Sequence, residues 1–134
     1  DIADLGNQWL DKETNLIWQR TCYGQTLENG QWLMSHDIVE LEVEDALRLA
    51  EEAKVLGWRI PSEDEVIKLI AKIKDNPELQ DIFLGEAYSI NCEFFTQECT
   101  SFNPIKIKVL GFSDGVLDSL GYDEGYLRLV KSID

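Results

Sequence analysis

Two amphipathic helices are predicted to meet at the stretch Gly57-Trp58-Arg59-Ile60-Pro61-Ser62-Glu63-Asp64-Glu65. Over residues 43–56, upstream of this stretch, apolar residues recur at intervals of three and four, which is the spacing of an amphipathic helix. Gly57 is placed to end that helix. Ser62 and Glu65 have the spacing of a capping box, so a second helix is expected to begin there.

Short β-type runs flank the two helices on both sides. The candidate strands are Leu16 to Arg20, Tyr88 to Phe95, Ile105 to Phe112, Val116 to Leu120 and Gly125 to Val130. Helices enclosed by strands at both ends predict an α+β domain in which two helices pack on a small antiparallel sheet with long irregular loops. The N- and C-terminal strands are expected to pair.

Length and composition indicate one domain. The chain has 134 residues, of which 44% are hydrophobic, and four tryptophans. A chain of this size can bury one continuous core, so residues 1–134 are expected to form a single domain. No apolar run approaches the roughly 20 residues that cross a bilayer, and membrane insertion is not expected.

The charge balance is strongly acidic. There are 26 acidic and 12 basic residues, for a formal net charge of -14. Nucleic acids and anionic membranes would be repelled, whereas a basic protein would be attracted. The alternative is that the acid only keeps the protein dispersed in water. The acidic residues are unevenly placed: one group is Asp37, Glu40, Glu42, Glu44, Asp45, Glu51 and Glu52, and the other is Asp114, Asp118, Asp123 and Glu124.

Three cysteines, Cys22, Cys92 and Cys99, lack the spacing of a structural zinc site. Cys92 and Cys99 bracket a β-prone run that is able to fold back on itself. A bridge closing this loop would stabilise the protein by roughly 2–3 kcal/mol in an oxidising compartment. Three reduced thiols are an equal alternative on spacing alone.

Several motifs resemble a bacterial domain family. They are Trp18-Gln19-Arg20, Cys22-Tyr23-Gly24-Gln25-Thr26, an alanine-rich helix, Gly57 to Ser62 with Glu65, Gly111-Phe112-Ser113-Asp114-Gly115 and Tyr126-Leu127-Arg128-Leu129-Val130-Lys131. Their order looks like the family typified by the C-terminal domain of a collagen-like adhesin, over almost the whole chain. Two features depart from its pattern: Ala87-Tyr88-Ser89 stands where many relatives have a Trp-Ser pair, and the segment Cys92 to Pro104 is this chain's own.

The resemblance implies a fold related to the C-type-lectin-like domains and to the formylglycine-generating sulfatase-modifying proteins. It also implies export to the periplasm or beyond, hence an oxidising compartment and a Cys92 to Cys99 disulfide. Lectin-like domains often hold calcium in loops, so the late acidic group raises calcium as an alternative to the expectation of no cofactor.

Five conspicuous motif residues are expected to be architectural: Trp18, Arg20, Trp58, Arg59 and Arg128. Trp18 and Trp58 should be buried in the core. Arg59 is expected to donate its guanidinium hydrogens to carbonyls left open at the end of the first helix.

The sequence gives little support for catalysis. The sole histidine, His36, has no nucleophile motif around it, and no phosphate-cradling glycine loop is present. The sulfatase-modifying relatives use paired cysteines late in their chains, but their surrounding motif is absent here. A redox enzyme is therefore only the third hypothesis, and no catalytic residue is expected.

The preferred hypothesis is a non-enzymatic exported module that binds a basic protein. Its most concrete form is a periplasmic immunity protein that inhibits a secreted, cell-wall-degrading toxin. The expected partner-binding residues are Asp114, Asp118, Asp123 and Glu124. The alternative is an adhesin or lectin-like module that binds surface glycans through exposed aromatics and amides. Candidates for that role are Asn91, Phe94, Phe95, Gln97 and Phe102.

Overall fold

The strands and helices follow one another in mixed order along the chain. A computed structural model describes residues 8–24, 27–28, 31–32, 40–83, 92–113, 116–121 and 124–133. The early strands are β1 (Gln8–Asp11), β2 (Leu16–Gln19), β3 (Leu27–Glu28), β4 (Gln31–Trp32) and β5 (Leu41–Glu42). The helices are α1 (Val43–Ala53), a short 3-10 helix (Lys54–Leu56), α2 (Glu63–Lys74) and α3 (Pro77–Phe83). The late strands are β6 (Cys92–Phe102), β7 (Ile105–Ser113), β8 (Val116–Gly121), β9 (Glu124–Gly125) and β10 (Val130–Ser132).

All described strand pairs are antiparallel. The larger sheets have the orders β1-β2-β10 and β6-β7-β8, and the strands β3 and β4, and β5 and β9, form two-stranded pairs. Strand β10 pairs with β2, so the expected pairing of N- and C-terminal strands is confirmed. The chain is an α+β protein with antiparallel pairing, as predicted, but the described residues form three α-helices and four small sheets where two helices and one sheet were expected.

Strand β2 lies between two clusters of buried side chains. Leu16 and Trp18 belong to one cluster, which α2 and α3 complete, and Ile17 belongs to the other, with residues of α1, β6 and β7. Successive side chains of a strand point to opposite faces of its sheet. The two long helices therefore pack on opposite sides of β2 rather than side by side.

Both helix boundaries follow the local signals. Gly57 adopts a left-handed conformation with φ of 89° and closes the 3-10 turn that ends the first helical segment. At the start of α2, the amide of Glu65 donates to the Ser62 hydroxyl, and the amide of Ser62 donates to the Glu65 carboxylate. The predicted capping box is confirmed. Among described helices, none is both long and apolar enough to cross a bilayer.

The late strands differ from the prediction in two places. The expected strand ending at Phe95 continues as β6 to Phe102, with irregular register between Phe95 and Cys99. The expected strand Gly125 to Val130 is interrupted, because residues 126–129 leave the ladder between β9 and β10. Within that interruption the carbonyls of Leu127 and Leu129 accept from the amides of Tyr23 and Gln19.

The predicted Cys92 to Cys99 disulfide is wrong. Both cysteines lie on strand β6, and a strand rises about 3.3 Å per residue, so seven residues separate their Cα atoms by roughly 20 Å. A disulfide requires Cα atoms within about 7 Å of each other. Cys99 is an exposed free thiol, and Cys22 is buried.

Candidate functional site

The short strands β5 and β9 bring the two acidic groups of the sequence together. In their register Leu41 lies opposite Gly125 and Glu42 lies opposite Glu124. Leu41 and Gly125 are buried, whereas Glu42 and Glu124 are exposed. Cross-strand neighbours point to the same face, so two carboxylates that are far apart in sequence are adjacent on the surface.

Helix α1 extends this acidic surface. Glu44 and Asp45 occupy its first turn, and Glu40 precedes β5 as a further exposed carboxylate. We call Glu40, Glu42, Glu44, Asp45 and Glu124 the acidic face.

The helix dipole accounts for only part of the acidic face. Acids in a first turn stabilise a helix, which is a structural reason for Glu44 and Asp45. Glu42 stands at the N-cap position of α1 but makes no side-chain cap hydrogen bond. Like charges directly opposite each other disfavour a strand pair, so the juxtaposition of Glu42 and Glu124 does not by itself stabilise that pair.

Several carboxylates elsewhere in the fold have cationic partners. The Glu63 carboxylate lies 2.8 Å from the ammonium of Lys108, and Asp11 lies 2.7 Å from that of Lys72. Within the described ranges, Glu40, Glu42 and Glu44 make no such ion pair, whereas exposed Arg48 lies 3.2 Å from Asp45. The acidic face therefore keeps most of its negative charge.

The four predicted partner-binding residues are only partly visible. Glu124 lies on the acidic face, and the backbone of Asp118 lies in β8 opposite Gly111. The side chain of Asp118, and Asp114 and Asp123 altogether, lie outside the described residues. The sequence showed an acidic run through Glu42 and Glu44, but no local signal indicates that a two-residue strand joins this run to Glu124.

A groove lies beside α1. It has a volume of about 350 Å³ and is bounded by α1, by the stretch Trp58 to Ile60 and by strands β6 and β7. Most of its wall is apolar and includes Leu47, Ala50, Ile105, Ile107 and Phe102, and Phe102 is 83% exposed. Strand β6 thus supplies one side of the groove.

Three polar side chains of the groove, those of Thr96, Gln97 and Arg59, are engaged within the protein, whereas Glu51 and Lys54 stand exposed in the wall on the α1 side. The Thr96 hydroxyl donates to the carbonyl of Lys108 at 2.9 Å, and the Gln97 amide nitrogen donates to the carbonyl of Ile60 at 2.8 Å. Arg59 is held by an ion pair. The surface that the groove offers to a ligand is therefore mainly hydrophobic.

The prediction that Arg59 donates to carbonyls at the end of the first helix is wrong. The Arg59 guanidinium instead makes two hydrogen bonds of 2.7 Å to the two carboxylate oxygens of Glu65. Because Glu65 also closes the capping box, this pair connects the helix junction to the start of α2. Burial opposes ionisation of Glu65, but hydrogen bonds from Arg59 and from the Ser62 amide outweigh it and lower the Glu65 pKa. The hydrogen bond that Arg59 donates to Glu65 outweighs burial and raises the Arg59 pKa.

The other conspicuous motif residues lie in or against the core. Trp18 is 1% and Trp58 8% exposed, and the Lys131 ammonium lies 4.6 Å from the centre of a Trp58 ring. Arg20 donates to the carbonyl of Ile82 at 3.0 Å.

Arg128 is a buried cation that contacts the end of α3. It donates to the carbonyls of Phe83 and Arg20, and its guanidinium carbon lies 5.2 Å from the centre of the Phe83 ring. These contacts place Arg128 at the point where α3 meets the end of β2.

The glycan and enzyme hypotheses are only partly covered by the described residues. Phe95 is buried, contrary to its suggested role as an exposed stacking aromatic. Asn91, the side chain of Phe94 and His36 lie outside the described residues. Within the described ranges, no group of three or more His, Cys, Asp or Glu side chains is arranged to hold a metal ion.

Comparison of this chain with protein-family models, with curated proteins and with solved structures finds no match.

Proposed function

We propose that this protein is a non-enzymatic, exported binding module that captures a basic protein on its acidic face. The observation that carries the proposal is the register of β5 and β9, which sets exposed Glu42 beside exposed Glu124. The overall charge of -14 extends the same negative potential around the molecule. The most specific form of the proposal is a periplasmic immunity protein that inhibits a cell-wall-degrading toxin.

The physical basis is electrostatic steering. A concentrated negative surface raises the encounter rate with a cationic protein and disfavours anionic partners. Carboxylates with internal cationic partners, such as Glu63 and Asp11, contribute less to such a field than Glu42 and Glu44. The cross-strand neighbours Glu42 and Glu124 concentrate negative charge at one place on this surface.

We also propose that the fold is C-type-lectin-like and that the chain belongs with the collagen-like adhesin family. Support comes from the motif residues of the resemblance and from the α+β architecture, in which the N- and C-terminal strands share a sheet.

Binding to purified basic cell-wall hydrolases, including a lysozyme, tests the proposed function. We expect a complex at low ionic strength, inhibition of the hydrolase that is bound, and weaker binding by the double variant Glu42→Gln/Glu124→Gln. The matched control is Asp75→Asn/Glu78→Gln, which removes the same charge from exposed positions at the end of α2 and the start of α3. Equal loss of affinity in both variants, or no binding at any ionic strength, would contradict the proposal.

The glycan-binding alternative is favoured by one observation, the exposed Phe102 on the rim of the groove. Sugar recognition also needs polar groups that converge on hydroxyls, and Thr96 and Gln97 already donate to backbone carbonyls. Binding of a neutral oligosaccharide that Phe102→Ala abolishes, without binding of any basic protein, would move this alternative to first place.

A further inference from the structure

We propose that the groove beside α1 receives one large apolar side chain, carried by a cationic segment of the basic partner. This inference rests on the proposed function and specifies how the partner is recognised. The acidic face would attract and orient the segment, and the groove would hold its apolar anchor.

The groove and the acidic face share one side of α1. Leu47, Glu51 and Lys54 line the groove at helical spacings of four and three residues. Glu44 precedes Leu47 by three residues, so it lies on the same side of the helix, one turn nearer to β5. The seven residues from Glu44 to Glu51 span about 10 Å at 1.5 Å per residue. Exposed carboxylates therefore lie on both sides of Leu47 along α1, with Glu51 in the groove wall and Glu44 just beyond it.

The size of the groove favours a single anchor. Ligand pockets have volumes of roughly 300 to 1,000 Å³. The groove, with a volume of about 350 Å³, is near the lower end of this range. Such a space accommodates one large aromatic or aliphatic side chain, whereas an extended oligosaccharide is too long for it. Aromatic anchors seated in pockets of this kind dominate many protein interfaces.

Charge selects the residues next to the anchor. Arg59, one of the two basic side chains in the groove wall, already binds Glu65, and Lys54 lies at the end of the wall remote from Glu44. Glu44 and Glu51 make no ion pair with any residue in the described part of the chain. Lysine or arginine residues that flank the anchor would therefore meet negative charge at the Glu44 end.

Two synthetic peptides provide the probe. Each consists of lysines and glycines, and they differ only in a central tryptophan or alanine. We expect the tryptophan peptide to bind about tenfold more tightly by isothermal titration calorimetry at low salt, the effect of one buried anchor. Phe102→Ala should remove most of this advantage. Val55→Ala is the matched control, because Val55 is 88% exposed and lies outside the groove wall.

The outcomes separate this inference from the proposed function. If both peptides bind equally and Glu42→Gln/Glu124→Gln weakens their binding, the proposed role of the groove is overturned and the role of the acidic face is retained. The proposed role of the groove is also overturned if Phe102→Ala and Val55→Ala reduce the tighter binding of the tryptophan peptide by equal amounts. Binding of neither peptide would overturn the inference, and the hydrolase experiment would then decide the proposed function by itself. Because Phe102 and Val55 are both exposed, neither substitution is expected to disturb folding.

Discussion

The contribution of the ion pair between Arg59 and Glu65 to the free energy of unfolding tests whether the tryptophan-arginine motif has a structural role or forms a binding site. Replacing Arg59 with Met keeps most of the side-chain length and removes both hydrogen bonds to Glu65. Replacing Glu65 with Gln keeps an oxygen able to accept from the Ser62 amide and removes the charge. The double variant closes a cycle that isolates the coupling between the two residues.

The structure sets the magnitude of the effect. Hydrogen bonds to charged groups contribute about 1.5–3 kcal/mol each when they are well made and shielded. The side chains of Arg59 and Glu65 are 34% and 21% exposed, so solvent screening reduces this value. We expect Arg59→Met to lower the free energy of unfolding by about 2 kcal/mol, with a coupling of about 1–2 kcal/mol. The loss corresponds to roughly 6–10 °C in Tm for a domain of this size.

The ion pair also predicts a dependence on pH. The folded pKa of Glu65 lies below its ordinary value of 4.5. Its contribution is therefore complete above pH 4.5 and is lost as the pH falls through the lowered folded pKa. The stability difference between the wild type and Glu65→Gln should be constant near neutral pH and should shrink in acid.

Urea unfolding followed by tryptophan fluorescence measures all four proteins of the cycle. Arg48→Met is the matched control, since its pair with Asp45 has side chains that are 63% and 50% exposed, and it should cost under about 0.5 kcal/mol. The architectural interpretation is refuted if Arg59→Met is no more destabilising than Arg48→Met and yet abolishes binding of the basic partner.

Three further substitutions test the packing and the second ion pair by the same unfolding assay. Gly125→Ala would place a Cβ atom 3.0 Å from a methyl of Val109, so we expect a loss of about 1–3 kcal/mol, and an unchanged midpoint would disprove the close approach. Phe95→Ala empties a site in which the ring is 1% exposed, and it should cost about 3–5 kcal/mol. Burial opposes ionisation of Asp11, but hydrogen bonds, chiefly from Lys72, lower its pKa. The destabilisation caused by Asp11→Asn should therefore decrease as the pH falls below the ordinary pKa of 3.8. A loss of stability that stays constant down to about pH 2 would argue against this ion pair.

The parts of the fold that the sequence predicted are those encoded by nearby residues. The helix termini at Gly57 and Ser62 depend on a left-handed turn and on hydrogen bonds that span three residues. The apolar spacing along α2 likewise identifies Val66, Leu69 and Ile73 as buried. Such signals are complete within one or two helical turns, which is why the helices could be placed without knowledge of the rest of the chain.

The predictions that were wrong concern contacts that tertiary structure decides. Strand β6 extends to Phe102 because it pairs with β7 along its length, and this pairing overrides the expectation that its two cysteines approach each other. Arg59 binds a carboxylate from the next helix instead of the carbonyls beside it, a choice set by tertiary geometry.

The candidate site is also formed by distant residues. Glu42 and Glu124 meet through a strand pair only two residues long, and Phe102 reaches the groove from a strand far from Leu47. Composition predicted an anionic protein, but it could not predict where the charge is concentrated.

The salt dependence of the association rate with a basic cell-wall hydrolase tests the central claim most directly. Stopped-flow measurements from about 10 mM to 300 mM salt cover Debye lengths from roughly 30 Å to under 8 Å. We predict that the association rate of the wild type falls steeply over this range and that Glu42→Gln/Glu124→Gln flattens the slope more than Asp75→Asn/Glu78→Gln. An association rate that does not change with salt, or slopes that are equal in the two double variants, would contradict capture by the acidic face.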